Sequence, residues 1–232
     1  MVNWDDIETV LLDMDGTLLD LNFDNHFWQH HLPMRYAHIH QKDDQSSREH
    51  IQKLTQQSHG TLDWYCLDYW TQKLNLDIPL LKREIQHMIS IRPHVVEFLK
   101  QLKNSGKHVI LVTNAHRQSL DIKMATTGIA PLFDEIVVSH DFRTAKEQPE
   151  FWRQMQVSHP FDPNKTLLID DTASVLRSAQ GFGIRYLLTL LQPDSRKPIR
   201  GLTEFPGILH FDEIMPASAK SSDIPVPSQQ HD

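Results

Sequence analysis

Short apolar runs alternate with amphipathic stretches along most of this chain. Residues 9–14, "TVLLDM", are apolar until they meet two carboxylates, and they predict a short buried strand. From about 22 to 90 the pattern changes. This stretch is rich in Gln, His, Leu and aromatics, holds one glycine (Gly60), and shows helical spacing such as Ile51, Leu54 and Thr55. It predicts about four helices, with Pro33 and Pro79 marking helix boundaries.

Beyond Arg92-Pro93 the order becomes regular. Residues 94–103, "HVVEFLKQLK", predict an amphipathic helix stopped at Ser105-Gly106. "KHVILVTN" is a β-branched apolar run suited to a strand buried on both faces. Residues 116–127 predict a helix ended by Gly128, "EIVVSH" a strand, and "PEFWRQMQ" a helix. "KTLLID" then predicts a strand, "TASVLRSAQGFG" a helix and "IRYLLTL" a further strand. Strands alternating with helices need crossover connections, so the expected fold is α/β with a parallel, Rossmann-like sheet. The expected division is a core of 1–17 and 91–216, an inserted all-helical cap of 18–90, and a disordered Ser/Pro-rich tail from 217.

Ligands of open parallel sheets bind beyond the carboxyl ends of the strands, so the residues there carry the functional question. The first apolar run ends on Asp13 and Asp15, the second on Thr113 and Asn114, and the fourth on Asp170 and Asp171. Lys146 lies in the loop after the third. Carboxylates gathered at one edge repel each other unless a cation lies between them. A hard cation such as Mg²⁺, which takes oxygen ligands, is the expected compensator. Alternative structural readings exist for each group: an acidic turn at Asp13 and Asp15, helix caps at Thr113 and at Asp170-Asp171, and a solvated lysine at 146.

These four stretches, "DMDGTLLD", "LVTNA", "TAKEQPEFW" and "LLIDDT", resemble in order and spacing the signatures of the haloacid dehalogenase superfamily. The third departs in having Pro149 three residues after Lys146. The resemblance implies that Asp13 is a nucleophile forming an aspartyl-phosphate and that Asp15 is the general acid and base. It implies Thr113 and Lys146 on the phosphoryl oxygens, with Asn114 orienting the phosphate or Asp13. Asp13, the Asp15 carbonyl, Asp170 and Asp171 would be Mg²⁺ ligands. Gly16 would relieve crowding, and Thr17 would brace Asp15 or the next turn.

Further stretches, "LNFDNHFWQHHLP" and "GTLDWYCLDYWTQKLNLDI", are similar to the bacterial branch of that superfamily that hydrolyses GMP and IMP. This implies a purine nucleoside 5′-monophosphate as substrate, with Asp24 and Asn25 near it at the cap hinge and Asp68 a further candidate. Trp64, Leu67 and Trp70 also fit a packing stripe in the cap core. The alternative substrate is a sugar phosphate or other small phosphometabolite, taken by a phosphatase or a phosphomutase. A dehalogenase would not need Asp15, and a non-catalytic module would not need all the acids.

Composition refines this picture. The 232 residues are 39% hydrophobic with a formal net charge of −7, which argues against nucleic acid as partner. The lone Cys66 is expected to be packed in the cap, and it permits no disulfide within the chain. No signal peptide or membrane span is expected, so the reading is a cytoplasmic monomer or small homo-oligomer. The fifteen histidines are expected at the surface, because no zinc-type spacing occurs.

Overall fold

The computed structural model describes residues 2–58 and 60–217. Its centre is a parallel sheet of β1 (Thr9–Leu12), β2 (His108–Thr113), β3 (Glu135–Val138), β4 (Thr166–Ile169), β5 (Tyr186–Leu190) and a two-residue β6 (Gly207–Ile208). The order is β3-β2-β1-β4-β5-β6, with every pairing parallel. β1 is central because it is apolar on both faces. Val10 and Leu12 pack one way and Leu11 the other, all fully buried.

Between β1 and the return to the core at Ile91, the described residues form six α-helices: α1 (Asn22–His26), α2 (Leu32–His40), α3 (Asp44–Ser58), α4 (Leu62–Tyr65), α5 (Leu67–Leu74) and α6 (Ile78–Glu84). The expectation was about four. α1 runs through a π-helical turn at Phe27–His31 into α2, and Cys66 breaks the aromatic stretch into α4 and α5. Pro79 sits in the first turn of α6, where the missing N–H costs nothing, whereas Pro33 follows the π-helical turn within a continuous helical stretch. Four more helices follow: α7 (Val95–Asn104), α8 (Arg117–Thr127), α9 (Pro149–Ser158) and α10 (Ala173–Phe182). α7 and α8 cover one face of the sheet through Phe98, Leu99 and Leu120. α9 and α10 cover the other through Trp152 and Leu176.

The chain enters and leaves the helical insertion through one paired crossing. Asp20 N donates to Ser90 O and Arg92 N to Leu18 O, both at 3.0 Å, with Leu19 bridged to Ile91. The Arg92 guanidinium donates to the carbonyls of Gln192, Pro193 and Leu209, tying this crossing to the loop after β5. No helix among the described residues is long and apolar enough to cross a membrane. The expected disordered tail falls almost wholly on 218–232, outside the described residues.

Three local expectations are corrected. The histidines are not all at the surface: His31 is buried against Glu84 at 2.9 Å, and His116 and His140 meet edge to face at 5.1 Å. Cys66 is half-buried and caps α5, its Sγ accepting from Tyr69 N. Thr17 is fully buried, yet its hydroxyl has no hydrogen-bond partner among the described residues, so it braces nothing by that means.

Candidate active site

The strands end together and deliver their polar residues to one cavity of about 580 Å³ beneath the helical insertion. Asp13, Asp15, Thr113, Asn114, Lys146, Asp170 and Asp171 all line it, as do Asp24 and Asn25. Sequence reasoning therefore brought nine residues to one place, though not all of them turn the same atoms toward it.

On the cavity floor, Asp13 follows β1 and stays in register, its N donating to Ile169 O at 3.0 Å. Lys146 reaches it from the loop after β3. The ammonium, 2% exposed, lies 2.5 Å from Asp13 Oδ1, 2.7 Å from Asp170 Oδ2 and 3.0 Å from Val112 O. All three of its donors have partners. Burial pulls the lysine toward neutrality, but Asp13 and Asp170 outweigh that and hold it above its usual range.

Asp13, Asp170 and Asp171 each offer an oxygen within 4.8 Å of the others. Burial pushes Asp13 and Asp171 up to about 7 and Asp170 to about 6, with each neighbouring carboxylate adding to the effect. Three buried carboxylates that resist ionising together are a donor set for a hard divalent cation, and Mg²⁺ fits them. Asp170 Oδ1 accepts from Thr172 N, and Asp171 is held by Thr172 Oγ1 and by Arg200, whose guanidinium donates to the Asp171 carbonyl at 2.6 Å. Gly16 lets the chain turn directly over this group. Its φ is +83°, and a Cβ there would lie 2.7 Å from Asp171 Cγ.

Asp15 goes elsewhere. Its Oδ1 meets Lys123 of α8 at 2.6 Å, and Lys123 also meets Asp24 Oδ2 at 2.6 Å. Asp24 Oδ1 meets Lys82 of α6 at 2.7 Å. Both Asp24 oxygens are thus committed to lysines; burial alone would raise this carboxyl, but the two ammoniums bring it below the ordinary carboxylate range. Asn25 donates to Asp194 at 2.6 Å. Thr113 Oγ1 accepts from Ala115 N within its own loop, while His116 occupies the cap position of α8, so Thr113 does not cap that helix. Asn114 clamps the lysine loop, accepting from Lys146 N and donating to Glu147 at 2.9 Å each.

Over the cavity, Trp28 and Trp64 stack at 5.4 Å, and Trp70 packs edge-on behind Trp28. Trp70 is fully buried, as a cap-core residue should be, whereas Trp28 and Trp64 line the cavity. Two contacts join insertion and core on this side. Tyr65 OH donates to Glu147 at 2.7 Å, and His116 faces Asp68 at 3.5 Å.

Lys82, Lys123, Glu147, Tyr65 and Arg200 were not singled out from the sequence. A signal existed for the two lysines. Lys82 falls four residues after Ile78, and Lys123 three after Leu120, on the buried faces of their helices. A lysine in an apolar stripe needs a buried partner.

A model of the haloacid dehalogenase-like hydrolase family matches residues 10–189. The GMP/IMP nucleotidase YrfG of Escherichia coli is 38% identical over 219 residues, covering 93% of this chain and 97% of that protein. The pyrophosphatase PpaX of Bacillus pumilus is 25% identical over 194 residues, 79% of this chain and 83% of its own. The crystal structure of a HAD phosphatase from Thermococcus onnurineus superposes with a TM-score of 0.75 at 19% identity, covering 89% of this chain and 95% of that one. The family model spans most of the sequence and a relative at 38% identity covers nearly all of it: this chain belongs to the haloacid dehalogenase-like hydrolases.

Proposed function

We propose that the protein is a Mg²⁺-dependent phosphatase that hydrolyses phosphomonoesters through an aspartyl-phosphate, with purine nucleoside 5′-monophosphates such as GMP and IMP as preferred substrates. The observation that carries the chemistry is the separation of two aspartates two residues apart. Asp13 joins Lys146, Asp170 and Asp171, whereas Asp15 is drawn off to Lys123. One carboxylate sits in the charge cluster and the other stands ready beside it.

In the first step an Asp13 oxygen attacks phosphorus. The Asp13–phosphorus bond forms as the ester P–O bond breaks, and the leaving oxygen takes its proton from Asp15. In the second step a water oxygen bonds to phosphorus while its proton passes to Asp15, and the Asp13–phosphorus bond breaks to release inorganic phosphate. Lys146 and Thr113 would steady the phosphoryl oxygens, and Asn114 acts by fixing the Lys146 loop. Asp13, Asp170, Asp171 and the Asp15 carbonyl would hold Mg²⁺, which when bound supplies positive charge to the phosphoryl group. Asp24 and Asn25 spend their polar atoms on protein partners, so we assign them to the hinge and its charge balance.

The purine preference is supported by the 38% identical relative named for GMP and IMP and by the Trp28–Trp64 pair above the cavity. A base stacked on an aromatic face gains roughly 1–3 kcal/mol. We take residues 18–90 as the cap, because the crossing at Leu19 and Ile91 is where the chain passes between it and the core of 1–17 and 91–216. A chain with one cysteine suits a reducing cytoplasm.

The test is phosphate release from a panel of GMP, IMP, pyrimidine nucleotides, sugar phosphates and pyrophosphate with Mg²⁺. We expect kcat/KM to favour GMP and IMP by about tenfold or more, which is the scale of one good stacking contact. Equal activity on GMP and sugar phosphates would sink the purine preference, and isomerised sugar phosphates in place of free phosphate would identify a mutase. Turnover unaffected by EDTA would sink the metal. Asp13→Asn should abolish release while leaving the circular dichroism spectrum intact.

A further inference from the structure

Asp15 is held by a lysine that none of the four strand-end motifs contains. Lys123 lies inside α8 with 1% of its surface exposed, its Nζ 2.6 Å from both Asp15 Oδ1 and Asp24 Oδ2. Asp24 belongs to α1 of the insertion and is held in turn by Lys82 of α6. Four charges of alternating sign therefore run from the proton-transferring aspartate into the insertion. Phe23 packs against both ammoniums, its ring 5.4 Å from Lys123 Nζ and 5.0 Å from Lys82 Nζ.

Burying a lysine is costly, and a methionine would fill the same place beside Phe23 without the charge. What the ammonium adds is direction. Asp15 Oδ1 is fixed by Lys123, while Oδ2 has no hydrogen-bond partner among the described residues and the side chain lines the cavity. A carboxyl that must pass a proton to a leaving oxygen and recover one from water needs one oxygen held and the other presented.

We propose that Lys123 is a positioning residue for Asp15, anchored from the insertion by Asp24, and that it acts on leaving-group protonation; this rests on the phosphatase reading above. The proton still moves between Asp15 and the ester oxygen, and Lys123 keeps its own three protons throughout.

The leaving group reports this role. p-Nitrophenolate leaves with little protonation, whereas an alkyl oxygen such as a ribose O5′ needs the proton. The experiment compares wild type, Lys123→Met and Lys123→Arg on p-nitrophenyl phosphate and on the best alkyl phosphate of the panel, with saturating Mg²⁺ and folding checked by circular dichroism. We expect Lys123→Met to lose about 10²-fold in kcat on the alkyl ester, KM staying within about threefold, and less than about threefold in kcat on the aryl ester. Lys123→Arg, which keeps the charge but moves the donors, should show the same bias with a smaller loss. It decides the matter should Lys123→Met fail to fold. Equal losses on both esters, or none on either, would overturn the inference while leaving the phosphatase reading intact. Wild-type protein that released phosphate from neither ester would sink both.

Discussion

Gly16→Ala isolates one geometric demand of the site. Glycine at φ +83° places the chain against Asp171, and an alanine Cβ would meet Asp171 Cγ at 2.7 Å and Oδ2 at 2.8 Å. The first approach is about 0.7 Å inside an ordinary carbon contact, which begins near 3.4 Å. Asp171 is short and its carboxylate accepts from Thr172 Oγ1 at 3.2 Å and from Arg200 at 3.5 Å, so it cannot swing aside freely. The left-handed conformation costs a β-carbon residue roughly 1–2 kcal/mol. In a chain of this length that lowers Tm by about 2–8 °C, so the variant stays folded at 25 °C. Displacing Asp171, a proposed Mg²⁺ ligand, by most of an ångström should cost about 10²-fold in kcat. The assay is phosphate release at increasing Mg²⁺ beside thermal unfolding, and the apparent Mg²⁺ affinity should weaken together with kcat. Gly128→Ala is the control. Gly128 has φ +69° with nothing within 4 Å of its would-be Cβ, so it should lose similar stability and no activity. Wild-type turnover in Gly16→Ala, or matching losses in Gly128→Ala, would refute the reasoning.

Lys146→Met removes the charge between Asp13 and Asp170 and should abolish turnover while costing about 3 kcal/mol, read as a Tm lower by roughly 6–12 °C. Tyr65→Phe removes the hydroxyl that joins the insertion to Glu147. KM for the best phosphomonoester of the panel should rise a few-fold with kcat little changed, measured by steady-state kinetics. His140 gives a pH prediction. Burial, then His116 beside it, lowers it to about 4, and neither ring nitrogen has a partner among the described residues. The unfolded chain takes this proton near 6.5, so the contribution is present above that and lost as pH falls toward 4. His140→Gln should therefore flatten the fall of Tm between pH 6.5 and 4 relative to wild type, and parallel curves would exclude the effect.

How much of this was legible in the sequence depends on whether a feature is local. The strand-end acids were, because a run such as "VLLDMD" states both the burial of β1 and the polar residues that follow it. Parallel topology then brings Asp13, Thr113, Lys146 and Asp170 to one edge without further information. The two-residue β6 was not legible. Its pairing with β5 is set by the loop that Arg92 holds across a hundred residues of chain. Nor could the sequence show what Asp24 bonds to. Its proximity to the first motif suggested substrate, but the partners that claim it, Lys82 and Lys123, come from helices 58 and 99 residues away.

Those lysines also bear on the metal. Besides Glu147, which the neutral donors of Tyr65 and Asn114 hold, five carboxylates lie buried or half-buried around the cavity, at Asp13, Asp15, Asp24, Asp170 and Asp171, against three buried ammoniums at Lys82, Lys123 and Lys146. The deficit is two positive charges, and it is not spread evenly. Asp15 and Asp24 are balanced by Lys82 and Lys123, so the shortfall falls on Asp13, Asp170 and Asp171, which share Lys146 alone apart from the half-exposed Arg200. Burial pushes those three up to about 6 or 7, and it raises Asp15 as well despite Lys123. Near neutral pH, two protons or one divalent cation can meet the deficit, and a proton on Asp13 would neutralise the proposed nucleophile. A divalent cation among these three would let Asp13 stay ionised, as the proposed attack on phosphorus needs, with the proposed proton transfer assigned to Asp15 beside a separate lysine.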